Sequence, residues 1–477
     1  MAGRCVIHWF RRDLRLTDNP GLHAAAQTGL PVVPVYILSD WRGGSRWTGS
    51  KRQQFLCDSL KLLAADLGKN GGRLVIRQGD AVHELRRLIS ECRAAELHFN
   101  ASPDPFGKSV EAKVKQLCRE FGIPCVAHHD VSLHDPGQIL TKSGDPYRVF
   151  TAYYRNWIEH PKPQPVGKPA PFKTPPQVKS LPLPDLKTWG LEGLTENQLD
   201  AGEMAAGGRL QQAISSKIAE YQATRDIPAA DGTSRISQDL RFGLVSVRTV
   251  LAETMKLHAA SRAGKRSSVD TFIKELAWRE FYFAILHHFP NVLHEEFNAD
   301  WRGLAWDEPD ERFELWTQGR TGFPIVDAGM RELSATGFMH NRVRMITAMF
   351  LTKDLHIDWR AGESWFLQNL LDGEIASNNG GWQWSAGTGA DAAPYFRIQN
   401  PWSQTTRFDP KGSYIKRWLP ELAAVPSERF LCPPDDGKTL AGAYPMPCLD
   451  HKTERERTLA IFKHHRGKGP QHYLTGI

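Results

Sequence analysis

Nine prolines crowd the stretch from His160 to Leu186: Pro161, Pro163, Pro165, Pro169, Pro171, Pro175, Pro176, Pro182 and Pro184. Each removes a backbone donor and fixes φ, so neither a helix nor an internal strand can run through at that density. The segment therefore reads as an extended connector that crosses between domains. At 477 residues the chain also exceeds what one hydrophobic core normally supports, so two domains are expected.

The hydrophobic pattern differs on the two sides of the connector. Before it, short apolar runs at 5–10, 32–37, 74–77 and 96–100 are bounded by turn residues, as buried parallel strands are. Between them Leu56, Leu60, Leu63 and Leu67 recur at helical spacing, and Val110, Val114, Leu117 and Phe121 repeat it. This alternation predicts an α/β domain with a doubly wound parallel sheet over 1–130. After a connector at 131–204 the period becomes helical, around 214–221, 269–289, 325–335, 341–355 and 364–371, which predicts an all-helical domain over 205–477. Ten of the fifteen tryptophans fall between Trp278 and Trp418, a concentration that core filling alone does not ask for.

Composition narrows the class. With 41% apolar and 24% charged residues the chain matches globular averages, and no apolar run approaches the ~20 residues of a membrane span. The N-terminus lacks the succession of a signal peptide, so a cytoplasmic protein is expected, nucleoid-associated if prokaryotic. Seven scattered cysteines without a C-x-x-C pair suit reduced thiols and offer no zinc site; no metal is expected. Lys plus Arg exceeds Asp plus Glu by 60 to 53, a formal +7, which leans weakly toward polyanionic partners. Gly107-Lys108-Ser109 is no phosphate loop, because position 102 is Ser rather than Gly.

Four segments carry unusual chemistry. Gly232-Thr233-Ser234-Arg235-Ile236-Ser237 gathers hydroxyls and an arginine at a helix start, which taken alone reads as a plain N-cap before it reads as an anion site. Glu275, Trp278 and Arg279 share a helix face at i, i+3 and i+4, suited to a pocket or to a surface ion pair beside a core indole. Asn341, Arg344 and Met345 share another face while Arg342 points elsewhere. The run 371–384 supplies Asp372, Gly373, Glu374, Asn378 and the indole pair Trp382 and Trp384.

These segments together resemble the photolyase/cryptochrome family, and within it the cyclobutane pyrimidine dimer photolyases. Trp9-Phe10-Arg11-Arg12-Asp13-Leu14-Arg15-Leu16-Thr17-Asp18-Asn19 is similar to the family's opening strand and loop. The run 319–410, with Asp391-Ala392-Ala393-Pro394-Tyr395-Phe396-Arg397, is similar to its flavin core. The resemblance spans the whole chain. It implies a carbon–carbon lyase whose excited, reduced FAD donates an electron to a dimer flipped out of UV-damaged DNA, the helical domain being the FAD-binding catalytic one.

The resemblance also implies roles. Tyr221 with Thr233, Ser234, Arg235, Ile236 and Ser237 would hold the FAD phosphates, and Phe272, Arg279, Gly373 and Glu374 would line the cofactor. Arg344 and Asp372 would pair beside the isoalloxazine, with Asn378 opposite N5. Glu275, Trp278, Asn341, Met345 and Trp384 would line the lesion cavity, Glu275 stabilising the radical anion. Trp306, Trp359 and Trp382 match the electron relay, and Arg225, Arg342, Arg397 and Gln404 the DNA contacts. Glu374 stands where the family often has Asp, and Phe338 where it often has Trp. The stretch 102–108 lacks the Asn-Glu pair of folate-binding relatives, which leaves methenyltetrahydrofolate, a deazaflavin, a flavin or no second antenna chromophore open. A monomer with no obligate protein partner is expected. The rival readings are a cryptochrome photoreceptor, disfavoured by Asn378, Met345 and a chain that stops soon after the helical core, and a (6-4) photolyase, disfavoured because Asn341 follows His340.

Overall fold

The computed structural model describes residues 4–39, 47–191, 199–434 and 437–467. Five parallel strands, β1 (Cys5–Phe10), β2 (Val32–Leu38), β3 (Val75–Gln78), β4 (Ala94–Asn100) and β5 (Cys125–His128), form one sheet in the order β3-β2-β1-β4-β5. That order places the first strand centrally, with helices crossing between successive strands, as the strand–helix alternation predicts. β1 is buried at all six positions, whereas β5 at the edge is only partly covered. Its apolar run, Cys125-Val126-Ala127, is only three residues long, and the pattern of apolar residues marks four strands and misses the fifth.

The chain forms two compact units that are not contiguous in sequence. The first comprises Met1–Gln222, Thr233–His288 and Leu371–Glu374, and the second Ala223–Gly232, Phe289–Leu370 and Ile375–Ile477. In the first, the helices Ala81–Cys92 and Pro105–Glu120 bury Leu85, Leu88, Ile89, Val114 and Leu117 against the sheet. The proline-rich stretch has no helix or strand from 161 to 185. It runs along this same unit, where Lys173 O accepts from Val32 N at 3.0 Å and Ile76 O accepts from Leu181 N at 3.0 Å. Buried Asp130 takes both Arg15 (2.5 Å) and Arg248 (2.6 Å), tying the loop after β1 to the helix Val247–Ala260. Gly243 ends the short helix Ser237–Phe242 at φ 66°, and a Cβ there would strike the Arg12 carbonyl, so only glycine fits.

The second unit is helical, built from Pro324–Thr336, Asn341–Met349, Trp359–Asn369, Ile375–Ala386, Pro401–Phe408 and neighbouring shorter turns. Its core collects Trp316, Phe323, Phe350, Trp359, Phe366, Trp382, Trp402 and Tyr414. The helix expected over 341–355 is α-helical only to Met349 and continues as a π turn, Phe350–Asp354. Such a turn adds one residue between hydrogen-bond partners, a variation that the hydrophobic period does not register.

Candidate functional site

The 26-residue helix Ala263–His288 carries Phe272, Glu275, Trp278 and Arg279 in the first unit. Across from it, the helix Phe150–Glu159 stacks Phe150 on Trp278, with ring centroids 3.7 Å apart and planes 9° from parallel. The carboxylate of Glu280 fixes that pairing: it accepts from the Trp157 indole at 2.8 Å and from the Leu133 backbone N–H, and hydrogen-bonds His134 at 3.1 Å. Neither Phe150 nor Glu280 carries a functional signal in the sequence, because their importance comes from a partner more than a hundred residues away.

Arg279 donates through Nη1 to the Val131 carbonyl (2.6 Å), and its guanidinium lies 4.7 Å over Phe283. Burial pushes it down to about 10. Its Nη2 is buried and takes no hydrogen-bond partner, a costly arrangement that an anionic or carbonyl-bearing ligand would relieve. On the same helix, Phe272 is met edge-on by Tyr221 at 5.5 Å. Arg235 adopts φ 56°, and Ile236 at the start of Ser237–Phe242 supplies no capping oxygen. Thr233, Ser234 and Arg235 are half-buried and Ser237 is exposed. Ser237 Oγ donates to Asp372 at 2.7 Å, so two of the expected cofactor residues meet.

Three arginines hold the turn that follows Asp372. Arg52 Nη1 (2.9 Å) and Arg241 Nε (3.0 Å) both donate to the Gly373 carbonyl, and Glu374 pairs with Arg12. Burial pushes Arg52 down to about 9 and lowers Arg12 and Arg241 as well, the cations also repelling one another. Of the three, only Arg12 lies in a segment with a recognisable pattern. A scatter of arginines in a basic chain gives no sign of convergence.

In the second unit, His340 caps the helix Asn341–Met349 by accepting from Arg342 N through Nδ1 at 3.2 Å. Asn341 is exposed, and Arg344 and Met345 are half-buried. Arg344 donates through Nε to the Met339 carbonyl (2.7 Å) and lies 5.3 Å over Phe338. Arg342 reaches Asp226 (2.8 Å) and the Met345 sulfur (3.7 Å), and lies 4.5 Å over Phe408. Arg225 approaches the same Asp226 at 4.0 Å. Two of the four expected DNA contacts therefore share one carboxylate. Arg397 is exposed, while Gln404 on Pro401–Phe408 and Trp384 on Ile375–Ala386 are half-buried.

Trp382 and Trp359 are buried and Trp306 is partly covered. Trp382 packs edge-on against Phe366 (4.9 Å) and Trp316 (6.1 Å), and its indole N–H is buried without a partner. Trp359 and Trp306 both donate to Glu296, at 3.1 and 3.4 Å. Asn378 donates through Nδ2 to the Glu363 carbonyl at 3.1 Å. A carbonyl only accepts, so the amide nitrogen must face it and the Oδ1 acceptor must point elsewhere.

The FAD-binding domain model of DNA photolyase matches residues 272–464, and the DNA photolyase model matches residues 6–175. The chain belongs to the DNA photolyase family. A deoxyribodipyrimidine photo-lyase of Agrobacterium fabrum is 40% identical over 473 residues, 96% of this chain and 97% of the relative. Among solved structures, a bacterial class III photolyase from Agrobacterium tumefaciens superposes with a TM-score of 0.90 at 38% identity, covering 98% of each chain. A Synechocystis cryptochrome superposes with a TM-score of 0.87 at 30% identity, covering 97% of this chain and 99% of its own. The photolyase fold therefore extends over both units, and FAD is the family's cofactor. Residues of the second unit fit such a group: Asn378, held by the Glu363 carbonyl, presents a fixed acceptor.

Proposed function

We propose that this chain repairs cyclobutane pyrimidine dimers in DNA with light, using reduced FAD as the electron donor. The observation that supports this most directly is the amide of Asn378, turned by the Glu363 carbonyl so that Oδ1 is left to accept. An acceptor there favours a flavin that carries a proton on N5, the reduced form that repair requires. A carboxylic acid at that position could instead deliver a proton.

Tyr221, Thr233, Ser234, Arg235, Ile236 and Ser237 hold the cofactor phosphates in this reading, and Phe272, Arg279, Asp372, Gly373, Glu374 and Arg344 orient it. Bound FAD supplies the photoexcited electron. Glu275 hydrogen-bonds the lesion and stabilises the charge it acquires, while Asn341 and Met345 line the cavity that receives it. Trp278 and Trp384 pack against the flipped bases; extrusion costs about a few kcal/mol, less where a lesion already weakens stacking. Arg225, Arg342, Arg397 and Gln404 grip the flanking strand. Residues 1–130 serve as the antenna domain and 205–477 as the catalytic one. A monomer working beside DNA in the cytoplasm belongs to the same proposal; no helix among the described residues is long and apolar enough to cross a membrane.

The test is purified protein with UV-irradiated oligothymidylate, a reductant and blue light. Thymines should be recovered, and absorption spectra before and after denaturation should show FAD together with any second chromophore, methenyltetrahydrofolate or a deazaflavin. Flavin-loaded protein that leaves dimers intact would favour the cryptochrome reading.

A further inference from the structure

Glu296, whose side chain is 5% exposed, lies in the second unit, within the tryptophan-rich stretch. Its Oε1 accepts from the indole N–H of both Trp359 (3.1 Å) and Trp306 (3.4 Å). Arg360 closes the other side, with Nη1 3.2 Å from Oε1 and Nη2 3.2 Å from Oε2. The same guanidinium lies 4.5 Å over the ring of Trp359, takes Asp358 at 3.1 Å, and donates to the His294 carbonyl at 3.0 and 2.7 Å. Burial works against its charge, but Asp358 and Glu296 outweigh that and hold Arg360 above the ordinary arginine value. The arrangement therefore keeps a fixed cation on the face of one indole and a fixed anion on the N–H edge of two.

We propose that Glu296 and Arg360 are positioning residues that steer an electron vacancy outward along the relay, off Trp359 and onto Trp306. This rests on the assignment of Trp306, Trp359 and Trp382 as a relay to the flavin. The oxidant is light-excited oxidised FAD. Trp382 gives it one electron and is refilled by Trp359, which is refilled by Trp306. The net change is one electron moved from Trp306 to FAD, with no bond made or broken and each Nε1 proton retained. A vacancy gives the indole a positive charge. A cation over the ring, attractive toward the neutral indole, then becomes repulsive. The carboxylate stabilises the charged indole on either side, and burial limits the screening of both effects. Trp359 feels the two opposed, whereas Trp306 hydrogen-bonds the carboxylate while the guanidinium lies on the ring of Trp359.

The experiment is flash photolysis of the FAD-loaded protein with oxidised flavin, following the tryptophan radical by transient absorption. Glu296→Gln should shorten its lifetime on the order of tenfold, the loss expected when a charged acceptor becomes a neutral one. Trp306→Phe halts the vacancy at Trp359. On that background Glu296→Gln should shorten the radical lifetime and Arg360→Met should lengthen it. A packing role alone would not move the two in opposite directions. Fluorine NMR of fluorotryptophan-labelled protein in the dark should show Trp306 and Trp359 resonances shifted by Glu296→Gln, independently of flavin chemistry. Unchanged lifetimes in Glu296→Gln, or a shorter lifetime in the Arg360→Met, Trp306→Phe double variant, would overturn the proposal. If Trp306→Phe itself left photoreduction unaltered, the relay assignment would be at fault instead.

Discussion

Trp278 has two faces, and Phe150 occupies one of them at 3.7 Å. In the proposed function a flipped base would stack on the other. Trp278→Ala should cost on the order of 1–3 kcal/mol of binding, fall mainly on dimer-containing DNA and leave the salt dependence nearly unchanged. Comparing titrations of damaged and undamaged duplex checks this. Phe150→Ala should produce a smaller loss in the same direction. Trp306→Phe should slow photoreduction of oxidised flavin while enzyme reduced beforehand still repairs; collapse of repair from the reduced state would refute the relay role.

At the scale of elements, the π turn Phe350–Asp354 contains a buried cation. Lys353 donates to the Ala386 carbonyl at 2.6 Å and lies 3.8 Å from the ring centroid of Phe462. Burial pushes its ammonium from 10.5 down to about 7. Between those values the unfolded chain binds a proton that the folded one does not, so this group makes stability rise with pH, by about 1.4 kcal/mol per unit. The penalty is fully present below the folded value and is relieved as the pH climbs toward the unfolded one. Denaturant unfolding from pH 7 upward should therefore show Lys353→Met gaining most over the wild type at the low end, with the gap narrowing as the pH rises. Parallel curves would mean that folded Lys353 keeps its proton as readily as the unfolded chain does. The cap at His340 belongs to this scale too: that imidazole is engaged at the helix start, which suits a structural role for it.

For the whole molecule, the formal +7 matters only where the cations reach DNA. Arg342 and Arg225 share Asp226, and Arg397 is exposed. Binding of a phosphate at Arg342 must compete with the Asp226 carboxylate. Arg342→Ala should weaken binding to damaged and undamaged DNA alike and flatten the slope of log affinity against log salt by roughly one unit. Asp226→Asn should do the reverse, tightening binding to both, most visibly at low salt. If Arg342→Ala removed only lesion discrimination, Arg342 would belong to the pocket rather than the grip.

The sequence by itself determined the α/β beginning and the helical remainder, because strand and helix periods are local properties of the chain; it marked the proline-rich stretch as extended, but not that this stretch lies along the first unit. It determined the family as well, since the segments that carry the resemblance are contiguous. It could not show that the edge strand Cys125–His128 exists, that residues 371–374 join the first unit while 375–477 join the second, or that Arg12, Arg52 and Arg241 converge on one turn. Glu280 and Glu296 read from sequence as ordinary acids on helices or loops. Tertiary packing buries them, aims one at Trp157 and the other at Trp306 and Trp359, and so decides what they do. A carboxylate's role depends on which donors reach it and how little water remains, and both are fixed only when distant segments close on one another.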